Sequence, residues 1–258
     1  MTVRLGFAAL TDKPDRPERP EEPRQRPETT DARPVGAAEA ELAAFLGRLV
    51  RWDKAAVVRL RSTEGEAALG VFGYPPFGGV LAVKSMALSP GGVREAVDAT
   101  VSAGELLEAV AEAAHGGEFG VPRSVTGPAW AGVLPPRTGW RREAELAGGA
   151  VRELAARVVA EFRARTEALV PELRTRAELD ALAEELWRRP LPAGPPDSAV
   201  TLRVVHAAHA LGFLPARGPA EDTVAVLSAG SWSRLRTAYG SVAIRGASAA
   251  SGLTVSPA

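Results

Sequence analysis

Residues 55–88 read Ala-Ala-Val-Val-Arg-Leu-Arg-Ser-Thr-Glu-Gly-Glu-Ala-Ala-Leu-Gly-Val-Phe-Gly-Tyr-Pro-Pro-Phe-Gly-Gly-Val-Leu-Ala-Val-Lys-Ser-Met-Ala-Leu. Three β-like runs lie in this stretch: Ala55 to Arg61, Glu66 to Phe72 and Gly79 to Leu88. Glu64-Gly65 and the Gly73-Tyr74-Pro75-Pro76-Phe77-Gly78-Gly79 segment supply turn residues between them. Parallel strands need crossovers of a dozen residues or more, so connections this short predict an antiparallel meander.

Just upstream, Leu42, Phe45, Leu46 and Leu49 follow the i, i+3, i+4, i+7 pattern of an amphipathic helix that begins near Ala37. Downstream, Ser102 with Glu105 forms a capping box, opening a helix that carries Leu106, Leu107 and Val110 and stops at Gly116-Gly117. An irregular glycine- and proline-rich segment, Phe119 to Arg142, follows. A helical stretch from Gly149 to Val170 is interrupted by Pro171, and a second capping box, Thr175 with Glu178, opens a helix ending near Arg189. Ser198 is a suitable N-cap for a helix reaching Leu211, with Gly212 placed as its C′ residue. Three more β-like runs close the pattern: Thr223 to Leu227, Trp232 to Thr237 and Ser241 to Arg245.

The expected fold class is α+β, with an N-terminal meander and a C-terminal hairpin or meander separated by helices. Arg59-Leu60-Arg61-Ser62 with Gly65 echoes Arg234-Leu235-Arg236-Thr237 with Gly240 at the same internal spacing. The echo fits two related halves facing each other across a pseudo-two-fold axis. Chance likeness between arginine-rich strands explains it equally well.

Three segments are expected. Residues 1–36 form a proline-, arginine- and glutamate-rich tail, in which Asp12 to Pro34 has no large apolar side chain to offset chain entropy and reads as an extended, disordered polyampholyte. Residues 37–246 form one globular domain, or two halves at 37–118 and 149–246. Residues 247–258 form a flexible tail of small residues.

Thirty-one basic and thirty-one acidic side chains cancel, which removes the net field that draws proteins to nucleic acid or anionic membranes. Lysine occurs only at positions 13, 54 and 84, asparagine is absent and Ile244 is the single isoleucine. That bias belongs to a GC-rich coding sequence, so the arginine excess is weak evidence for a ligand. With no cysteine, disulfides, thiolate nucleophiles and cysteine-ligated zinc are excluded. Residues 1–10 lack the long apolar core of a secretory signal, and no run approaches the roughly 18 apolar residues of a membrane span. A cytoplasmic protein without membrane attachment is expected.

No Gly-x-Ser-x-Gly elbow, phosphate-binding loop or dinucleotide fingerprint is present, so no catalytic residue and no cofactor is assigned. His206 and His209 lie three apart on one helix but lack the companion acid of a His-Glu-x-x-His site, and no metal is assigned. The most distinctive stretch is Trp130 to Trp140, two tryptophans bracketing Pro135, Pro136 and Arg137. The rings serve either as an aromatic clamp for a partner or as pins holding an uncovered loop to the core. Strand alternation sets Arg59 and Arg61 on one face, and likewise Trp232, Arg234 and Arg236. They form either a basic, stacking surface for single-stranded nucleic acid or the solvated face of an antiparallel sheet.

The segment from Glu41 to Arg245 resembles a group of uncharacterised proteins from high-GC actinobacteria. Arg51-Trp52-Asp53, Trp130 to Trp140, Ala210-Leu211-Gly212-Phe213-Leu214 and the tryptophan-bearing terminal strands carry the resemblance. It brings no activity with it. In layout alone, with Leu134-Pro135-Pro136 between helices and a terminal hairpin, the chain is similar to EspG-type chaperones of type VII secretion. Val224 to Arg245 is similar to bacterial SH3-like strands. The expected function is a non-enzymatic protein-binding or adaptor role with another protein as partner. The alternatives are a nucleic-acid binder using the arginine-bearing strands and an enzyme whose active site is assembled from scattered residues.

Overall fold

Each expected strand run becomes a strand within about two residues, and the two sets merge into one sheet. The computed structural model describes residues 3–5, 37–88, 95–113, 118–196, 198–219 and 221–246. Strand β1 (Arg4–Leu5) is followed by helix α1 (Ala37–Trp52) and strands β2 (Val57–Ser62), β3 (Ala68–Gly73), β4 (Val80–Ala87) and β5 (Val97–Ser102). Helix α2 (Ala103–Ala113), β6 (Phe119–Gly120), β7 (Arg141–Ala147), α3 (Gly148–Ala168), α4 (Arg176–Trp187) and α5 (Leu202–Ala210) come next. The described chain closes with β8 (Thr223–Ala229), β9 (Trp232–Arg236) and β10 (Ser241–Arg245).

An α+β fold results. Eight strands pair antiparallel in the order β5-β2-β3-β4-β10-β9-β8-β7, and β1 pairs with β6 separately. The sheet reads alike from both ends. Helix α1 leads into β2-β3-β4 as α5 leads into β8-β9-β10, and β4 meets β10 at the centre, Ala82 opposite Val242. This arrangement pairs β2 with β8 and β3 with β9, whereas the two Arg-Leu-Arg copies lie on β2 and β9. The internal symmetry is therefore carried by topology, and the sequence echo falls on strands that are not equivalent.

One apolar row crosses the whole sheet: Val101, Val58, Gly73, Ala82, Val242, Leu235, Val226 and Ala144 lie opposite one another in turn. Helices α1 and α2 cover its first half, and α5 backed by α3 covers its second, enclosing Phe45, Leu46, Leu60, Val204 and Leu211. Gly73 lets α1 approach, because a Cβ there would stand 2.6 Å from Leu49 Cδ1. Buried Lys84, on the same face, pairs with Glu41 of α1 and donates to the Tyr239 carbonyl at 2.7 Å.

Four boundaries differ from expectation. Strand β7, Arg-Arg-Glu-Ala-Glu-Leu-Ala, has helix-favouring composition and no clean alternation; pairing with β8 makes it a strand, and its charged side chains suit an exposed edge. Strand β5 was also not expected; it forms the other edge against β2. Helix α5 starts at Leu202 rather than Ser198, because Thr201 bridges Pro190 and Val200 accepts from Leu191, which holds the chain extended. Finally, Leu5 is fully buried and pairs with Phe119, so this part of the expected N-terminal tail belongs to the folded body. Residues 6–36 and the expected tail 247–258 lie outside the described residues.

Candidate partner-binding cleft

Strands β5 and β7 are opposite edges of the sheet, so the chain between α2 and β7 must cross its full width. Seven strand spacings amount to about 34 Å. Twenty extended residues reach up to roughly 66 Å, which is ample. Residues 121–140 make the crossing as a strap over the outer face of the sheet, the face opposite the helices. Val125 N–H donates to the Thr100 carbonyl on β5 at 2.8 Å. A single 3₁₀ turn, Ala129–Gly132, follows. Further along, Arg137 binds Glu66 and the Thr63 hydroxyl in the β2–β3 turn. Trp140 Nε1 donates to the Pro136 carbonyl at 2.8 Å, and Arg234 lies over its ring at 5.3 Å. The irregular, proline-rich character of this segment follows from that path, since an extended strap pairs with no neighbour along most of its length.

Trp130 and Trp140 therefore sit at different places. Trp140 closes over Arg234, while Trp130 stacks on Tyr74, with ring centroids 5.8 Å apart and planes at 14°. Pro135, Pro136 and Arg137 line a 210 Å³ cleft between strap and sheet, together with Arg61, Phe72 and Arg234.

The four arginines differ in their surroundings. Arg59 pairs with Asp98 at 2.6 Å and donates to Thr100, and Arg61 lies 3.6 Å from the same Asp98. Arg234 donates to Ser241 Oγ at 2.7 Å, and burial, reinforced by Arg236, brings its guanidinium pKa down to about 10. Arg236 is exposed beside a 440 Å³ cleft that contains Glu145 and Asp222, and Trp232 is half-buried at the end of β9. Arg61 and Arg234 thus share the strap cleft, while Arg59 is taken up by Asp98 and Thr100 and Arg236 borders a separate cleft.

At the other end of the strap, a 510 Å³ cleft opens between the C-terminus of α1, the β3–β4 loop and residues 126–130. Trp52, Tyr74 and Trp130 wall it, with Pro75, Pro76 and Pro128 beside them. Tyr74 is 44% exposed, and burial would be the ordinary fate of so large an apolar ring. Among the described residues, Asp53 is the one ionisable side chain in the lining besides Tyr74, and its Oδ1 accepts the Ala55 N–H at 2.9 Å. The Gly73–Gly79 segment reads in the sequence as a turn alone. Its run of aromatic and proline residues was the available signal that it also builds a surface.

Behind this cleft, aromatic rings continue into the protein. Trp52 meets Phe77 edge-on at 5.0 Å, Phe77 meets His206 at 5.2 Å, and His206 stacks on Trp187 at 4.3 Å. Phe162 completes the series against Trp187 at 6.0 Å. Burial, with His209 nearby, lowers the His206 pKa to about 4, so its imidazole is neutral at pH 7. Arg203 of α5 anchors the loop by donating to the Phe77 carbonyl at 3.2 Å and pairing with Glu184 at 2.6 Å. Gly78 makes room for it, with φ +66° and a hypothetical Cβ only 2.3 Å from an Arg203 nitrogen. Among the described residues, no three His, Asp or Glu side chains converge as metal ligands, and no helix is long and apolar enough to cross a membrane.

Residues 32–132 match a family model described as domain of unknown function DUF8010, and residues 135–249 match another, domain of unknown function DUF8185. The boundary between the two falls within the strap. No curated protein matches the chain. Among solved structures, the chain is similar to a DNA polymerase sliding clamp from Pseudomonas aeruginosa at 13% identity and TM-score 0.46, covering 81% of this chain and 62% of that one. A sliding clamp from Caulobacter crescentus is similar at 14% identity and TM-score 0.43, covering 80% and 63%. The chain thus spans less than two thirds of the length of these clamps. At such scores the likeness is loose and does not extend to what a clamp does.

Proposed function

We propose that the protein is a non-enzymatic, cytoplasmic protein-binding adaptor that holds an extended segment of a partner in the cleft walled by Trp52, Tyr74 and Trp130. The observation that carries this reading is the exposed Tyr74 ring stacked on Trp130 at the mouth of a concave, proline-edged surface. Rigid aromatic rings provide large contact area at little entropic cost, which is why such residues dominate binding hot spots. One carboxylate and a set of rings and prolines are the equipment of recognition rather than of bond cleavage. The cleft's walls are braced from behind by Phe77 and Arg203, so the surface is preformed and loses little freedom on binding.

Selection of a random peptide library on the folded protein tests this reading. Enriched peptides are expected to perturb the indole NMR signals of Trp52 and Trp130 and leave those of Trp140 and Trp232 in place. Enrichment of peptides that perturb only Trp140 or Trp232, or no enrichment at all, contradicts it.

A further inference from the structure

We propose that this cleft is a polyproline II site whose resident ligand is residues 14–23 of the same chain; the inference rests on the reading of the cleft as a peptide-binding surface. Residues 14–23 lie outside the described residues and enter through their sequence, Pro-Asp-Arg-Pro-Glu-Arg-Pro-Glu-Glu-Pro. Proline recurs at positions 14, 17, 20 and 23, every third residue. A polyproline II helix has three residues per turn, so all four rings fall along one edge. Asp15, Glu18 and Glu21 fall along the second edge, and Arg16, Arg19 and Glu22 along the third.

The cleft is complementary to such a ladder. Grooves that bind polyproline II present aromatic side chains against which proline rings rest, and the fixed φ of proline lowers the ordering cost. Trp52, Tyr74 and Trp130 are those side chains, and Tyr74 and Trp130 stand as a near-parallel stack. Asp53, at the end of α1, supplies a carboxylate for the arginine edge of the ladder.

The tether permits the contact. About thirteen residues separate Pro23 from Ala37, a reach of up to roughly 43 Å. Helix α1 starts at Ala37, has 16 residues and is therefore about 24 Å long, and its last residue, Trp52, lines the cleft. Measured from Ala37, a ladder folded back along α1 reaches the cleft, and eight residues join its other end to buried Leu5. In this arrangement it is the competitor that an incoming partner segment must displace.

The test uses the full chain and the double variant Pro17→Gly with Pro20→Gly, which keeps the charges and removes the ladder. The expected result is that the indole signals of Trp52 and Trp130 move between the two proteins while those of Trp140, Trp187 and Trp232 stay. A synthetic peptide of residues 13–24 is expected to bind the variant at least fivefold more tightly than the wild-type chain. Identical indole spectra overturn the proposal. If the peptide then binds both proteins equally at Trp130, the cleft takes proline ladders from a partner and only residence is lost. If it binds neither, the polyproline assignment falls as well, and the adaptor reading is left to the library selection. A shift in the wild-type chain that appears only as protein concentration rises assigns the ladder to a second copy and overturns the in-chain contact.

Discussion

Lys84 on β4 donates to the main-chain carbonyl of Tyr239, 155 residues further along the chain and in the turn between β9 and β10, at 2.7 Å. Together with the pairing of Lys84 to Glu41 on α1, this contact fastens the two halves of the sheet to each other and to the helix that ends at the cleft. A buried ammonium is costly unless it is paired and hydrogen-bonded, and removing it strands its partners. Lys84→Met is therefore expected to lower stability by about 3 kcal/mol, read as a shift of the urea midpoint at unchanged m-value. A midpoint that does not move would show that the contact contributes nothing to the junction.

Gly148, the first residue of α3, tests the close packing of the second half. A Cβ there would stand 2.8 Å from the Asp222 carbonyl oxygen, and the Gly148 N–H donates to that same oxygen at 2.7 Å. Backbone does not give way as a side-chain end does. Gly148→Ala is expected to cost about 1–3 kcal/mol in thermal or chemical unfolding. Gly149→Ala, with only an Arg152 nitrogen at 3.9 Å, serves as the neutral control.

His206 makes stability depend on pH. Burial, with His209, lowers its folded pKa to about 4, against 6.5 when unfolded. Between these values the unfolded chain binds the proton and the folded one does not, so stability is complete above pH 6.5 and falls as pH drops towards 4. The expected loss is on the order of 2–3 kcal/mol, measured as urea midpoints at a series of pH values. His206→Phe, which keeps a ring against Trp187 and Phe77, is expected to flatten that slope.

Much of the architecture was legible because hydrophobic period and turn chemistry agree along β2–β4 and β8–β10. The helix starts are equally readable, and the N-cap bond of each expected capping box forms: Glu105 N–H donates to Ser102 Oγ and Glu178 N–H to Thr175 Oγ1, each at 3.3 Å. The edge strands were hidden for a physical reason. The charged run Arg141–Ala147 has no strand signature of its own and becomes a strand only through β8. The site was half legible. Trp130 stood out by its composition, but its partner Tyr74 is 56 positions away, and no local pattern shows that a strap will bring the two rings together. Trp140, equally prominent in sequence, is taken up by Arg234.

Tyr74 separates the two roles an aromatic side chain plays. At 44% exposure it contributes little to the core, so Tyr74→Ala is expected to change stability by less than about 1 kcal/mol. Leu60→Ala, at a position with no exposure, is expected to cost about 2–5 kcal/mol in the same assay.

The most direct measurement is the affinity of a library-selected peptide, by titration calorimetry, for the wild-type protein and for Tyr74→Ala and Trp130→Ala. Loss of a hot-spot ring costs about 2 kcal/mol, so each variant is expected to bind roughly 30-fold more weakly while Tyr74→Ala still unfolds at the wild-type midpoint. Equal affinity in all three proteins would contradict the account, because the cleft at the end of the strap would then not be the surface that binds.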